Sequence, residues 1–273
     1  MTDNVRILEL RRLLDEANRA YYVDASPLMS DRSFDDLIAE LIELEAVHPE
    51  LFDAASPTQR VGGSPAEGFE TAPHTVPMQS IDNTYSMGDL HAWFDRVAKV
   101  LDDETGIELV CDPKIDGVAI SLRYEDGLLA RATTRGDGAK GDVITNNVRA
   151  MRAIPLRLQT DTPPHVLEVR GEIVMPNASF ERVNAERKTR GEDLFANARN
   201  STAGTLKSLD PAVVASRGLT FLAHGRGALD GVTCEGYAAF LALIRLWGIP
   251  VNAHSRVYTA IDEVIEHVET FEA

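Results

Sequence analysis

An α+β fold is expected, with a small helical module placed ahead of a larger unit of mixed strands and helices. Three observations carry this expectation. The first fifty residues show apolar positions at helical spacing and little alternation. Beyond residue 105, alternating apolar and polar runs recur at 107–112, 118–124 and 167–173. Between 124 and 128 an Asp126-Gly127 pair marks a tight hairpin, which makes at least part of the sheet antiparallel.

In the module, Val5, Leu8, Leu13, Ala17 and Tyr21 recur near helical spacing. Ser30-Asp31 then starts a second helix with Phe34, Leu37, Ile38, Leu41 and Ile42 on one face, ending at His48-Pro49. Two helices of this size bury little alone, so the module has to dock on the rest of the chain or on a ligand. Tyr21, Tyr22 and Phe34 cluster at the link between the helices, where they suit either simple hairpin packing or stacking on a ligand.

Residues 53–80 are punctuated by Ser56-Pro57, Gly62-Gly63, Pro65, Pro73 and Pro77 and read as an extended connector, separating a module at 1–52 from a main domain at 81–273. A helix follows, with Ser86 and Asp89 at capping spacing and Leu90, Trp93, Phe94, Val97 and Leu101 on its apolar face.

Ile107, Leu109 and Cys111 alternate with Glu108, Val110 and Asp112, which places Cys111 in the core of a strand. Pro113 cannot donate to a sheet ladder, so pairing stops there and Lys114 emerges at the strand end, followed by Asp116 and Gly117. A lysine in that position suits covalent nucleotidyl transfer, in which a neutral amine attacks phosphorus and a nearby cation or desolvation lowers its pKa. A surface lysine beside a turn would show the same short pattern.

The strand at 128–135 runs into Arg135-Gly136-Asp137-Gly138, and with Gly141 this loop can present backbone N–H groups to phosphate, although it matches no established phosphate-loop spacing. A short helix carrying Val148 and Met151 comes next. In the strand at 167–173, Leu167, Val169 and Ile173 face one way, and Glu168, Arg170 and Glu172 the other, as a solvated face or one wall of a charged cleft. Helices at about 178–188 and ending at Trp247-Gly248 frame a last strand from Leu219 to His224.

The chain has 273 residues, 44% hydrophobic and 26% charged, enough for a sizeable core and about two domains. A net charge of −16 argues against a generic nucleic-acid binder, though a local basic groove can sit on an acidic body. The two cysteines form neither a disulfide framework nor a four-thiolate zinc site. No stretch approaches the roughly 20 apolar residues of a membrane span, and the N-terminus lacks the apolar centre of a signal peptide, so a cytoplasmic protein without membrane contact is expected.

Taken in order, Lys114-Ile-Asp-Gly117, Thr134-Arg-Gly-Asp-Gly138, Glu168-Val-Arg-Gly-Glu172 and Phe195-Ala-Asn-Ala-Arg-Asn200 resemble the motifs of bacterial NAD-dependent DNA ligases. The likeness runs along essentially the whole chain, including Ser56-Pro-Thr-Gln-Arg-Val-Gly62 and Pro77-Met-Gln-Ser-Ile-Asp-Asn83.

The resemblance implies a nucleotidyltransferase domain of the ATP-grasp-like ligase type, preceded by a module for the nicotinamide mononucleotide half of NAD. Lys114 would take AMP from NAD, and Asp116 and Glu172 would order Mg2+. Ser80, Ile81, Asp112, Gly117, Arg135 and His224 would contact the nucleotide, with Asp112 at the adenine and His224 stacking on it. Arg199 and Lys207 would act on phosphates or the DNA end. Tyr21, Tyr22, Asp31, Phe34 and Asp35 match the nicotinamide-binding positions.

The chain departs from the family where Asp112 replaces the usual glutamate, Tyr22 a frequent histidine, Phe34 a frequent tyrosine and Lys207 a frequent arginine. The chain stops at Ala273, before the Asp-Gly-Val and second-lysine motifs that complete the adenylate pocket in the family, and it lacks the family's OB-fold, zinc, helix-hairpin-helix and BRCT regions. A fragment of a longer ligase or a truncated, non-catalytic paralogue is therefore expected. An ATP-dependent ligase or capping-type transferase is disfavoured, because ATP leaves the helical module without a task. Nicked DNA would be the partner of the full-length protein, which is expected to act as a monomer.

Overall fold

The computed structural model describes residues 2–60, 68–102 and 106–271. Helix α1 (Asp3–Tyr22) buries Ile7, Leu10, Leu14 and Ala17 against Phe34 and Leu41 of α2 (Asp31–Val47). Ser30 caps α2 by accepting from the Ser33 N–H at 3.2 Å. The Arg6 guanidinium grips Glu40 with two parallel bonds of 2.6 and 2.7 Å, fastening the two helices at their surface. Of the row expected to face inward on α1 only Ala17 is buried. Val5, Leu8 and Tyr21 are 53, 59 and 54% exposed, and Ile7, Leu10 and Leu14 turn inward instead. Ile42 of α2 is likewise exposed.

The connector is docked rather than free where it is described. Arg60 is buried and donates to the carbonyls of Met151 at 2.6 Å and Ile154 at 2.9 Å. Val61, Gly62, Gly63 and Pro65 lie outside the described residues. Further on, β1 (Thr71–Pro73) pairs antiparallel with β5 (Lys140–Asp142).

Helix α3 (Met87–Leu101) is capped as expected, Ser86 Oγ accepting from the Asp89 N–H at 3.1 Å. Its apolar face is only partly covered, since only Ala98 is buried while Trp93 and Leu101 stay exposed. The strand β2 (Leu109–Cys111) is shorter than the alternation suggested and pairs with β8 (Arg256–Tyr258) in a small separate sheet that α9 (Ile261–Glu269) packs against. Cys111 is half-buried rather than a core residue, while Leu109 of the same face is buried as expected.

The main sheet is antiparallel, in the order β4 (Leu128–Thr134), β3 (Val118–Glu125), β6 (Val166–Val174) and β7 (Thr220–Asp230). Asp126 (φ 48°) and Gly127 (φ 79°) turn the β3–β4 hairpin, both in the left-handed region that a two-residue hairpin of this hand requires. One sheet face carries Ile120, Leu122, Tyr124, Leu167, Val169, Ile173 and Phe221 into the core. The core is closed by α4 (Thr145–Arg149), α5 (Asn177–Thr189), α6 (Ala198–Leu206), α7 (Pro211–Ser216) and α8 (Gly236–Leu246), which lend it Val148, Val183, Leu206, Val214, Phe240 and Ile244. The other sheet face, bearing Ala119, Arg170, Glu172, Leu222 and His224, lines a cleft.

Candidate active site

This cleft encloses about 740 Å³, and Ser80, Ile81, Asp112, Lys114, Arg135, Glu172 and His224 all line it. Pairing of β2 ends at Cys111, so Asp112-Pro113-Lys114 leaves the sheet as a free segment aimed across the cleft. Gly117 closes that segment against β6. A side chain there would bring its Cβ within 2.3 Å of the Ile173 carbonyl oxygen, so only glycine permits the approach. Arg135 follows β4, and its N–H donates to the Ala119 carbonyl at 2.9 Å. Glu172 is largely covered and sits 3.5 Å from His224 Nε2 on the neighbouring strand.

Four of the residues expected at the nucleotide or its phosphates, Asp116, Gly117, Arg199 and Lys207, lie outside this lining. Asp116 turns outward and accepts from Arg199 at 2.9 Å, both side chains well exposed. Lys207 is the exposed C-cap of α6. The glycine loop does not offer its amides to a ligand as expected, because the N–H groups of Ala139 and Lys140 are taken by Asp137 Oδ1, each at 2.9 Å, and that of Gly138 by the Arg135 carbonyl. Those two bonds, Lys140 first, hold the Asp137 carboxyl below the usual carboxylate range. The loop serves instead as a mooring, since its Gly138 carbonyl accepts from the Met78 N–H at 2.8 Å just ahead of Ser80.

The polar face of β6 proves to be a wall of the cleft, not a solvated face. Arg170 donates to the carbonyls of Val76 and Pro77. Glu168, only 4% exposed, accepts from Thr75 Oγ1, Arg123 and the Ala228 N–H, all at 3.0 Å. Burial opposes the charge on Glu168, but these donors outweigh it and hold the carboxyl below its ordinary range. Together Glu168 and Arg170 strap residues 75–77 across the sheet and carry Ser80 and Ile81 to the rim of the cleft.

The module residues gather elsewhere. Tyr21, Tyr22, Asp31 and Phe34 line a second cavity of about 440 Å³, walled on its far side by Met151, Arg152, Arg182 and Leu219 of the main domain. The Tyr21 and Tyr22 rings meet edge-on at 4.7 Å, and burial pushes the Tyr22 phenol above its usual range. Asp35 pairs with Arg152 at 3.3 Å. Hence four of the five module positions line one cavity, Asp35 is tied to its Arg152 wall, and Lys114 borders another. Arg152, Tyr237 and Ser255 escaped the sequence reading.

Among the described residues, no three His, Cys, Asp or Glu side chains converge on a potential metal position. Asp116 and Glu172 nonetheless supply the hard oxygen donors that Mg2+ takes, usually one or two carboxylates completed by substrate phosphate and water.

Two family models account for nearly all of the chain. Residues 1–62 match the DNA ligase-like N-terminal NAD+-binding domain, and residues 66–273 match the NAD-dependent DNA ligase adenylation domain. The chain belongs to the NAD-dependent DNA ligase family. It is 46% identical to a DNA ligase of Synechococcus sp. (strain RCC307) over 271 residues, which cover 98% of this chain and 40% of that protein. It is 50% identical to a DNA ligase of Prochlorococcus marinus (strain NATL1A) over 226 residues, 80% of this chain and 33% of the relative. A DNA ligase of Methylacidiphilum infernorum (isolate V4) is 44% identical over 94% of the chain and 38% of its own length. The chain thus spans well under half the length of these relatives. What it carries is the NAD+-binding and adenylation part of a DNA ligase. No helix among the described residues is long and apolar enough to cross a membrane.

Proposed function

We propose that this chain performs the enzyme-adenylation step of an NAD-dependent DNA ligase. The observation that carries the reading is the convergence of Ser80, Ile81, Asp112, Arg135, Glu172 and His224 on the one cleft that Lys114 borders. The neutral Lys114 amine attacks the α-phosphorus of NAD. A P–N bond forms as the bond to the bridging oxygen breaks, and nicotinamide mononucleotide leaves with that electron pair while the amine gives up a proton. Arg135 faces the same cleft, where its charge can meet the phosphates. His224 offers a ring for the base, and Asp112 an acceptor.

Mg2+, held by Asp116 and Glu172, would offset phosphate charge when bound. Asp116 is engaged by Arg199 in this structure, so Arg199 has to release it for that task. Tyr21, Tyr22, Asp31, Phe34 and Asp35 hold the nicotinamide mononucleotide half. Aromatic faces suit its cationic ring and carboxylates its ribose hydroxyls. In the full-length protein AMP passes on to a 5′-phosphate of nicked DNA, with Arg199 and Lys207 near the phosphates. The reading includes a cytoplasmic location, where NAD and DNA are both available.

Incubation with NAD and Mg2+, followed by intact mass, tests the reading. One AMP should be added, Lys114→Ala should abolish the adduct, and Lys140→Ala, on β5 outside the cleft, should leave it. Absence of any adduct on the unaltered chain would establish the non-catalytic reading instead, and an adduct mapped to a different lysine would overturn the assignment.

A further inference from the structure

The Arg135 side chain lines the cleft, yet its guanidinium makes no hydrogen bond or ion pair among the described residues. The place of its charge is therefore set by its backbone. Arg135 stands one residue past β4, directly ahead of Gly136 (φ 56°) and close to Gly138 (φ 92°). A turn built on such glycines has little side chain of its own to pack, so it is fixed by what grips it from outside.

The segment that follows β1 supplies that grip. The His74 N–H donates to the Ala139 carbonyl at 2.9 Å, and the Met78 N–H to the Gly138 carbonyl at 2.8 Å. Both are backbone bonds that most residue types could make. His74 adds a side-chain bond, its Nε2–H donating to the Arg135 carbonyl at 3.1 Å. A carbonyl has no proton to give, so this contact requires the ring to carry its proton on Nε2. Among the described residues no other side chain bonds the Arg135 backbone, whose own N–H is taken by the Ala119 carbonyl at 2.9 Å. His74 itself is half-buried and does not line the cleft. Its chain neighbours are fastened to β6, Thr75 by Glu168 and Val76 and Pro77 by Arg170, so the ring is mounted on a fixed strap.

We propose that His74 is a positioning residue for lysine adenylation, which grips the Arg135 carbonyl and so sets the Arg135 charge where the dinucleotide phosphates meet it. The inference rests on reading the cleft as the adenylation site. A ring that merely filled space beside the turn would need no donor. The two roles therefore ask different things of the side chain.

His74→Phe keeps a ring and removes the donor. His74→Gln removes the ring and keeps an amide donor near the place of Nε2. AMP addition to Lys114 from NAD, followed by intact mass over time, should fall roughly tenfold in kcat/KM in His74→Phe, the scale of one hydrogen bond, and stay within about threefold of the unaltered chain in His74→Gln. His74→Asn, whose amide stops short of that place, should be as slow as His74→Phe and stands in for it if the phenylalanine variant does not fold. In an Arg135→Ala background, itself slower than the unaltered chain, loss of the His74 donor should cost no further rate, whereas thermal melting should show the same loss of stability in both backgrounds. A glutamine variant as slow as the phenylalanine or asparagine variant overturns the proposal. So does a full rate in His74→Phe or in Arg135→Ala, or a tenfold loss that persists without the Arg135 side chain. Absence of an AMP adduct from NAD on the unaltered chain removes the adenylation reading itself, and this inference with it.

Discussion

The Arg152 guanidinium lies 4.5 Å from the centre of the Phe34 ring and also reaches Asp35 at 3.3 Å. Two of the module residues assigned to nicotinamide mononucleotide are thus engaged by the main domain, at a cavity that shares no lining residue with the cleft of Lys114. Attack by Lys114 requires the leaving group opposite the incoming nitrogen. On the function proposed above, the docked arrangement is not the reacting one, and the module has to travel.

A tether checks this directly. Cysteines introduced as Arg19→Cys and Gln159→Cys, whose side chains meet across the contact of the module with the main domain, with Cys111 and Cys234 changed to alanine, can be joined by a cleavable bismaleimide spacer. Adduct formation from NAD should slow by roughly a hundredfold or more while the spacer is intact and recover on its cleavage. Undiminished adenylation of the tethered protein would mean that the module acts from where it sits.

Gly117 supports a second prediction. Its added Cβ would lie 2.3 Å from the Ile173 carbonyl oxygen and 2.7 Å from Val174 Cγ1, so Gly117→Ala has to push the Lys114 segment off β6. The expected cost is about 1–3 kcal/mol of stability, the usual range for overpacking. Adduct formation should fall by roughly a hundredfold, because Lys114 is then misplaced. Gly68→Ala, where nothing lies within 4 Å of the new methyl group, is the control and should change neither quantity.

What could be read in the sequence follows rules that act over a few residues. Pro113 ends the pairing of β2, Asp126-Gly127 turns the hairpin, and the alternation of β6 sends Leu167, Val169 and Ile173 inward. Family likeness added Ser80, Ile81, Arg135 and His224, which the fold brings to one cleft. What could not be read depends on distant partners. Helix α1 has apolar residues on more than one face, and only packing against α2 decides that Ile7 and Leu10 go in while Val5 and Leu8 stay out. β2 finds its partner in β8, far along the chain, so its alternation alone could not show which sheet it joins. Arg170 binds the backbone carbonyls of Val76 and Pro77, which any residue type supplies.

That strap yields a third prediction. Arg170→Ala should free residues 76–81, seen as faster amide hydrogen exchange there, and raise KM for NAD by roughly tenfold with a smaller change in kcat. Arg170→Lys should restore little, because a lysine keeps the charge but loses the fork that spans two carbonyls. Unchanged exchange in this segment after Arg170→Ala would show that Met78, bonded to the Gly138 carbonyl at 2.8 Å, moors the strap by itself.

The last prediction concerns pH and the seat of the module. Burial pushes the Asp15 carboxyl from its ordinary 3.8 up to about 6, with Arg60 and Arg157 pulling it back and Asp53 adding to the rise. A carboxyl with a raised native pKa holds its proton longer in the folded than in the unfolded chain. Its cost to stability is absent below pH 3.8, accumulates as pH rises to about 6, and is constant above that. Asp15→Asn removes the ionisation, so the variant should gain on the unaltered chain across that window. The gain should level off above pH 6 at on the order of 1–2 kcal/mol, an allowance having been made for screening at a partly covered site. Denaturant unfolding of both proteins at pH 4, 5, 6, 7 and 8 gives the difference. A difference that stays flat from pH 4 to 8 would mean that Asp15 is ionised throughout and that the buried Arg60 charge, not burial, governs it.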